Sequence, residues 1–174
     1  MNGFATPPHF IEFDVYGPSR PRLPVASTPI SITTATKTLT TEYANRPTLL
    51  NRAAGIAVTL PAATGTGDVY TLIVLATFTG AASIAVADST DYMIGNANMG
   101  INGGTAVPHL YPTANTGTLA TESDTIDLYG TSNSTGGIKG QVITLIDIAT
   151  DIWSVQIVGD AGGTEASPFS AAVA

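Results

Sequence analysis

The stretch "QVITLIDIATDIWSVQIVG" (residues 141–159) decides the fold, because two apolar strands flank a short turn in it. In the second strand Trp153, Val155 and Ile157 alternate with polar neighbours. Successive side chains of a strand point to opposite faces, so these three share one face. We therefore expect the only tryptophan to be buried in a core or a subunit interface, with its indole N–H bonded near the "DIATD" turn (147–151). An exposed platform for a ligand such as a sugar is the less favoured interpretation.

The composition of the whole chain favours the same class of structure. Charged residues make up 11% of the 174 residues, and there is no cysteine. Thr, Ala, Gly, Val and Ile are prominent, which is typical of strands and turns. A chain of this length holds one folded unit with tails, and its stability must come from burial and association because no disulfide can form. The prediction is an all-β fold.

Short strands recur along the chain between loops of Gly, Asn, Thr and Asp. The clearest is "GIAVTLP" (55–61), in which Ile56, Val58 and Leu60 alternate with smaller residues. Such spacing fits a single jelly-roll-like or β-sandwich domain, or a small barrel. We predict strands in a Thr-rich stretch at 30–40 and then at 56–60, 69–77, 83–87, 91–95, 106–111, 124–130, 140–148 and 152–159.

Two of these strands are apolar on both faces. In "VYTLIVL" (69–75) and "QVITLI" (141–146), large aliphatic side chains point both ways. Small antiparallel proteins normally leave one sheet face in water. These strands therefore lie at the centre of a closed barrel, or another subunit covers their second face. We expect a homo-oligomer.

The first part of the chain differs from the rest. From Pro7 to Pro29 the sequence is rich in proline, which excludes it from the middle of a sheet, yet it carries an apolar cluster around Phe10 to Tyr16. We interpret it as an extended arm that lies on its own domain or on a partner. The predicted organisation is an N-terminal arm (1–37), a β-domain (38–160) and a C-terminal tail (161–174).

The charge distribution follows this division. Before residue 54 there are five basic and three acidic residues, whereas the remainder has one basic and ten acidic residues. The net charge of −7 argues against general nucleic-acid binding, which requires Lys and Arg to neutralise phosphates. The first residues lack the features of a signal peptide, and "VYTLIVLATF" (69–78) is too short to span a bilayer, so we expect a soluble chain without membrane contact.

Few residues suit catalysis. The two histidines, His9 and His109, do not lie in a recognisable nucleophile motif. Asp124 and Asp127 are three residues apart on a strand and point to opposite faces, which does not suit a glycosidase pair. A second pair, Asp147 and Asp151, flanks the "DIATD" turn, where Asp commonly bonds the backbone. We expect no enzymatic activity and no small-molecule substrate.

The candidate metal and cofactor sites in the sequence match known motifs poorly. The closest cation candidate, "DSTD" (Asp88 to Asp91), lacks the spacing and the glycine of an EF-hand loop. The glycine-rich stretches "GTGD" (65–68) and "STGGIKG" (134–140) do not match a P-loop, and we interpret them as hairpin turns. The prediction is that the chain needs no metal and no cofactor.

Several longer stretches resemble one known family. They are "TLTTEYANRPTLLNRAAGIAVTLPAATGTGDVYTLIVLAT" (38–77), "DYMIGNA" (91–97), "DTIDLYGTSNSTGGIKGQVITLIDIATDIWSVQIVG" (124–159) and the closing "ASPFS" (166–170). Together they resemble the head decoration, or cement, proteins of tailed bacteriophages. The most specific parts are "AGIAVTLPAATGTG" (54–67) and "GGIKGQVITLIDIATDIWSVQIVG" (136–159). Both are patterns of a fold and not of a reactive site.

The resemblance implies a β-rich domain, usually a trimer, on the outer surface of the phage capsid. There such a protein links neighbouring major capsid subunits against the pressure of the packaged DNA; the particle is assembled in the host cytoplasm. The proline-rich front departs from the family pattern. We expect this arm and the basic residues of the first third to contact the major capsid protein, through Phe10, Ile11, Phe13, Tyr16, Arg20, Arg22, Lys37, Arg46 and Arg52. The alternative is a fibre, spike or lectin-like module for host recognition.

Overall fold

A computed structural model describes residues 28–104, 107–130 and 132–173. The described chain is all-β and consists of twelve strands, with two short 3-10 turns at Thr41–Tyr43 and Leu119–Thr121. The strands are β1 (Ile30–Ile32), β2 (Thr36–Thr38), β3 (Pro47–Leu50), β4 (Ala57–Thr59), β5 (Val69–Val74), β6 (Ala82–Ala85), β7 (Tyr92–Ile101), β8 (His109–Pro112), β9 (Thr125–Leu128), β10 (Val142–Ala149), β11 (Ile152–Ala161) and β12 (Phe169–Ser170).

The strands form two mixed sheets. One has seven strands in the order β1-β3-β5-β10-β11-β7-β8, and the other has five in the order β12-β9-β6-β4-β2. The first six strands alternate between the sheets, and neighbours among them run parallel. Because each strand is followed by one in the opposite sheet, the chain returns to a sheet in the same direction. The first half is therefore a coil of three turns.

The second half adds mostly antiparallel neighbours. Strand β9 pairs with β6, and β10 pairs with both β5 and β11. Strands β10 and β11 form the predicted hairpin, with a bulge between Asp147 and Ala149 and a positive φ of 63° at Asp151. Strand β7 runs parallel to β11 along its whole length, so the tryptophan strand lies inside the sheet.

One core lies between the two sheets, and alternation places its residues as predicted. Ile56, Val58 and Leu60 are each 1% exposed, and Trp153 is equally buried. The rings of Trp153 and Tyr70 are in T-shaped contact, with centroids 5.6 Å apart and planes at 72°. Its indole N–H has no hydrogen-bond partner within the described ranges. The predicted burial is confirmed, whereas the predicted partner near the turn is wrong.

Several boundaries differ from the predictions. Strands β1 and β2 confirm the strand predicted in the stretch 30–40, but β1 and the first two residues of β2 lie within the segment 1–37 that was predicted as an arm. Strand β3 was not predicted, because its first residue is Pro47, a position at which a strand tolerates proline. Strand β12 lies within the predicted tail and pairs with β9.

The two glycine-rich loops are not hairpin turns. The loop that contains "GTGD" (65–68) leads from β4 in the smaller sheet to β5 in the larger one. The "STGGIKG" loop (134–140) likewise leads from β9 to β10 across the sheets. Alternation within strands identifies their faces but not the sheet to which each belongs, so these connections were misassigned.

Candidate functional site

The predicted contact residues fall into two groups. Lys37, Arg46 and Arg52 lie in the first turns of the coil, within or next to β2 and β3. The others lie outside the described residues: Phe10, Ile11, Phe13, Tyr16, Arg20 and Arg22. Only the first group can therefore be placed on the fold.

Arg46 holds the chain at the point where the N-terminal segment joins the sheet. Its Nη2 donates a hydrogen bond to the carbonyl oxygen of Thr28 at 3.0 Å. Thr28 is two residues before β1, and Arg46 directly precedes β3, the neighbour of β1. The Arg46 Nε is buried and has no partner within the described ranges. Arg46 thus fixes the start of the described chain.

The other two basic residues are also engaged within the chain. Arg52 donates from Nη1 to the carbonyl oxygen of Gly55, where φ is 93°. The Lys37 ammonium lies 5.0 Å from the ring centroid of Tyr43, a cation–π distance. Lys37 is on the five-stranded sheet, whereas both arginines flank β3 of the larger sheet, and no hydrogen bond or ion pair links the three in the described part of the chain.

The most developed polar cluster surrounds Asp147 on β10. Asp147 is buried, with 3% of the residue exposed, and its carboxylate accepts hydrogen bonds from the loop 64–66. The backbone N–H groups of Thr64, Gly65 and Thr66 donate to it at 3.0, 2.6 and 3.0 Å, and the Thr66 hydroxyl donates at 2.8 Å. The glycine-rich loop therefore forms an anion-binding concavity that the chain fills with its own carboxylate.

These hydrogen bonds determine the ionisation of Asp147. Burial raises the pKa of its carboxyl, but the bonds from Thr66, Gly65 and Thr64 outweigh burial, so the pKa lies below its ordinary value. The charged form is thus the one that the loop stabilises. Asp151, at the other end of the predicted pair, lies in the turn and its backbone N–H bonds to Ala63. The Asp147 side chain and the Asp151 backbone therefore both hold the loop 63–66 in place.

Two further buried acids anchor other segments. Asp124 is 5% exposed and accepts hydrogen bonds from the backbone N–H groups of Ala172 and Val173, at 2.7 and 3.1 Å. Glu122 is 4% exposed and accepts from the N–H groups of Thr116 and Gly117 at 2.8 and 2.6 Å. Asp124 therefore ties the C-terminal segment to β9, and Glu122 closes the loop before it.

The carboxylates of the candidate cation loop have different partners. Asp88 accepts from the Thr90 N–H and hydroxyl at 2.9 and 2.6 Å, which lowers the pKa of Asp88. Asp91 is buried and accepts from the Ala63 N–H at 3.2 Å. Burial raises the pKa of Asp91, and the nearby charges of Asp88 and Asp151 raise it further. Asp91 thus links the start of β7 to a loop 28 residues earlier in the chain.

No metal centre and no membrane helix were found in the ranges that the structure describes. Among these residues no three His, Asp or Glu side chains are grouped to hold a metal ion. None of their helices has the length and apolar character needed to cross a membrane. Comparison with protein-family models, curated proteins and solved structures gave no match.

A cleft of about 450 Å³ lies beside β12 and the end of β8. Phe169 and several hydroxyls line it, but those hydroxyls already bond the chain: Ser123 accepts from the Ala114 N–H at 2.8 Å, and Ser167 from the Phe169 N–H at 3.2 Å. These hydroxyls hold the walls of the cleft in place, because their hydrogen bonds are made within the chain.

His109 lies on β8 with its side chain 58% exposed. Its Nδ1 is 3.3 Å from the Tyr111 hydroxyl and 3.9 Å from Oε2 of Glu165. Neither neighbour is a serine nucleophile, so this grouping does not form a hydrolytic triad. His9 lies outside the described residues.

Proposed function

We propose that the chain is a non-enzymatic decoration protein that binds the outer surface of a tailed-phage head and links neighbouring major capsid subunits. In this proposal it acts as a homotrimer, its two-sheet body is of the sandwich or jelly-roll type, and residues 1–29 form the arm that grips the capsid. It needs no cofactor, metal, nucleic acid, membrane or small-molecule substrate.

The observation that carries the proposal is the use of the buried acids. Asp91, Glu122, Asp124 and Asp147 each accept backbone N–H groups from a loop or tail of the same chain. These four carboxylates hold loops and the C-terminal segment of the body in place, instead of forming a reactive centre. A rigid body of this kind suits a protein that must transmit load between capsid subunits.

A second observation concerns the arm. Arg46 bonds the carbonyl oxygen of Thr28, two residues before β1, so this point of the chain lies beside the start of β3. A proline-rich segment loses less conformational entropy when it is ordered on a partner, because its φ angles are already restricted. If a trimer engages three sites at once, linkage raises the overall affinity by roughly 10² to 10⁴ without any new kind of contact.

The test measures binding of the purified full-length protein to phage heads that lack it, by co-sedimentation. Reversing the arm charges in the double variant Arg20→Glu, Arg22→Glu should weaken binding by about tenfold or more per contact site. The control is Lys139→Glu, which reverses the one basic residue of the acidic part and should bind like the unmodified protein. Unchanged binding of the double variant would contradict the role of the arm.

Copy number separates this proposal from the host-recognition alternative. A decoration protein should be nearly as abundant in purified particles as the major capsid protein, whereas a fibre or spike is present in few copies. The buried Trp153 also removes the residue that suggested a sugar platform. A low copy number together with glycan binding would favour the alternative.

A further inference from the structure

The turn that follows β7 contains an asparagine directly before a glycine. It runs from Ile101 to Gly104 and is closed by a hydrogen bond from the Gly104 N–H to the Ile101 carbonyl oxygen, at 3.0 Å. Gly103 has a φ of 71°, which glycine adopts without strain and which suits the third position of a four-residue turn. The sequence "NGG" (102–104) thus places the pair Asn102 and Gly103 at the tip of a turn.

An asparagine in this position can react with its own backbone. The nitrogen of the following residue is a nucleophile that lies close to the side-chain amide carbon, so the attack is intramolecular and needs no second molecule. Asparagine is among the residues that are lost in this way at elevated temperature. A side chain on the following residue crowds the attacking nitrogen, whereas glycine has none. The Asn-Gly pair is therefore the most reactive sequence for this chemistry.

The structure leaves both reacting groups accessible. Asn102, Gly103 and Gly104 are all exposed, so water and base reach the turn. The side-chain amide of Asn102 has no hydrogen bond with any other described residue, and the Gly103 N–H donates to none of them. A Cβ placed on Gly103 would meet nothing within 4 Å, so there is open space around the attacking nitrogen. Neither hydrogen bonding nor crowding within the described chain opposes ring closure.

The other asparagines of the described ranges lack this combination. Asn133 is the clearest contrast, because its Nδ2 donates to the carbonyl oxygens of Phe78 and Gly136 at 3.1 and 3.2 Å, and because Ser134 follows it. In all, six described asparagines precede a residue that has a side chain: Asn45, Asn51, Asn96, Asn98, Asn115 and Asn133. The second Asn-Gly pair of the sequence, Asn2 and Gly3, lies outside the described residues.

We propose that Asn102 is a site of spontaneous covalent modification, at which water converts its side-chain amide into a carboxyl group through a cyclic imide formed with Gly103. In the first step a bond forms between the Gly103 nitrogen and the Asn102 Cγ, while the bond from Cγ to the amide nitrogen breaks. The proton of the Gly103 N–H passes to a base in the solvent, and the leaving nitrogen departs as ammonia. The product of this step is a five-membered succinimide ring.

Water then opens the ring at one of its two carbonyl groups. Opening at Cγ gives aspartate, whereas opening at the backbone carbonyl of Asn102 gives isoaspartate, in which the main chain runs through the former side chain. The complete reaction consumes one water and releases one ammonia, and nothing is oxidised or reduced. Each product adds one negative charge to a chain whose net charge is already −7. This inference goes beyond the proposed function and does not depend on it.

The two products should differ in their effect on the fold. Isoaspartate adds one backbone atom between Ile101 and Gly104, so the hydrogen bond that closes the turn cannot keep its geometry. The turn leads from β7 towards β8, the edge strand that pairs with β7. Isoaspartate should therefore loosen β8 and make its backbone N–H groups exchange faster with solvent, whereas aspartate keeps the normal backbone and should not.

The experiment incubates the full-length, folded protein at neutral and at mildly alkaline pH and follows each asparagine by mass spectrometry of proteolytic peptides. An acid differs from an amide in mass, and chromatography separates the aspartate form of a peptide from its isoaspartate form. Asn102 should convert faster than the six other described asparagines. Its conversion should be faster at the alkaline pH, because base removes the proton of the attacking N–H. Asn133, whose amide is held by two carbonyl oxygens, is the internal control.

Asn102→Gln is the matched variant, since it keeps an exposed amide but its longer side chain cannot close the five-membered ring. It should lose the conversion at position 102 and accumulate acidic forms more slowly on anion exchange. Conversion of Asn102 no faster than that of Asn133 would overturn the inference, as would an equal rate at position 102 in Asn102→Gln. Hydrogen exchange in β8 that is the same in the isoaspartate form and in Asn102→Asp would contradict the predicted loosening of this strand.

Discussion

The Asp147 carboxylate accepts a hydrogen bond from the backbone N–H of Gly65 at 2.6 Å, although 82 residues separate them. The bond ties the loop that crosses between the sheets to the central strand β10. Replacing Asp147 by Asn keeps the shape but removes the charge that several donors share. We expect Asp147→Asn to lower the free energy of unfolding by about 2 kcal/mol or more, measured by urea denaturation. The control Asp160→Asn removes an exposed charge and should change it by less than about 0.5 kcal/mol.

The stability contributed by Asp147 should depend on pH in a defined direction. Its folded-state pKa is lowered, so the contribution is complete above the ordinary pKa of about 4 and is lost as the pH falls through the lowered value. Urea unfolding at several pH values should show the gap between the unmodified protein and Asp147→Asn narrowing below about pH 4. A gap that stays constant or widens on acidification would contradict the role of the ionised carboxylate.

The stability contributed by Asp91 should depend on pH in the opposite direction. Burial raises its folded-state pKa, so the folded chain holds this proton more tightly than the unfolded chain does. The stability from this group is therefore greatest below the ordinary pKa and declines as the pH rises through the raised value. In Asp91→Asn, which cannot titrate, that decline should be absent from the pH profile of unfolding. An unchanged profile would show that Asp91 does not titrate abnormally.

Asp124 should control the C-terminal segment. Asp124→Ala removes the acceptor of the Ala172 and Val173 N–H groups, so hydrogen exchange in residues 169–173 should become faster, with a stability loss of about 1–3 kcal/mol. Asp127→Ala, which loses only the hydroxyl contact with Ser170 at an exposed site, is the matched control. Equal exchange rates in the two variants would mean that the tail does not depend on Asp124.

Trp153 should behave as a core residue in solution. At 1% exposure, its fluorescence should be quenched only weakly by acrylamide, and oligosaccharides should have no effect. Trp153→Ala should cost about 3–5 kcal/mol through the cavity it leaves beside Tyr70. Strong quenching that oligosaccharides prevent would contradict burial and support host recognition.

Alternation within strands was enough to predict the faces of the fold. It placed Trp153, Val155 and Ile157 inward and identified the double apolar character of β5 and β10. It could not predict the mixed sheets, because a period of two indicates which side chains share a face but not which strands become neighbours. Strand β3 was missed because Pro47 opens it.

The hydrogen bonds of Asp147 and Asp124 could not be predicted from the sequence. Asp147 and Asp124 were noted as acids, but their partners are 81 to 83 and 48 to 49 residues away and are backbone N–H groups that leave no residue signature. The one available signal was "TGTG" (64–67), a glycine-containing loop able to direct successive N–H groups at an anion. The anion that this loop binds is the Asp147 carboxylate of the same chain.

The central claim is that this chain decorates the outside of a phage head, and the most direct test is a cryo-EM map of the particle that carries it. We predict density for the two-sheet body on the outer capsid surface where capsomers meet, with residues 1–29 running along the major capsid protein. Density for this body at the tail or in a fibre, and none on the head surface, would contradict it.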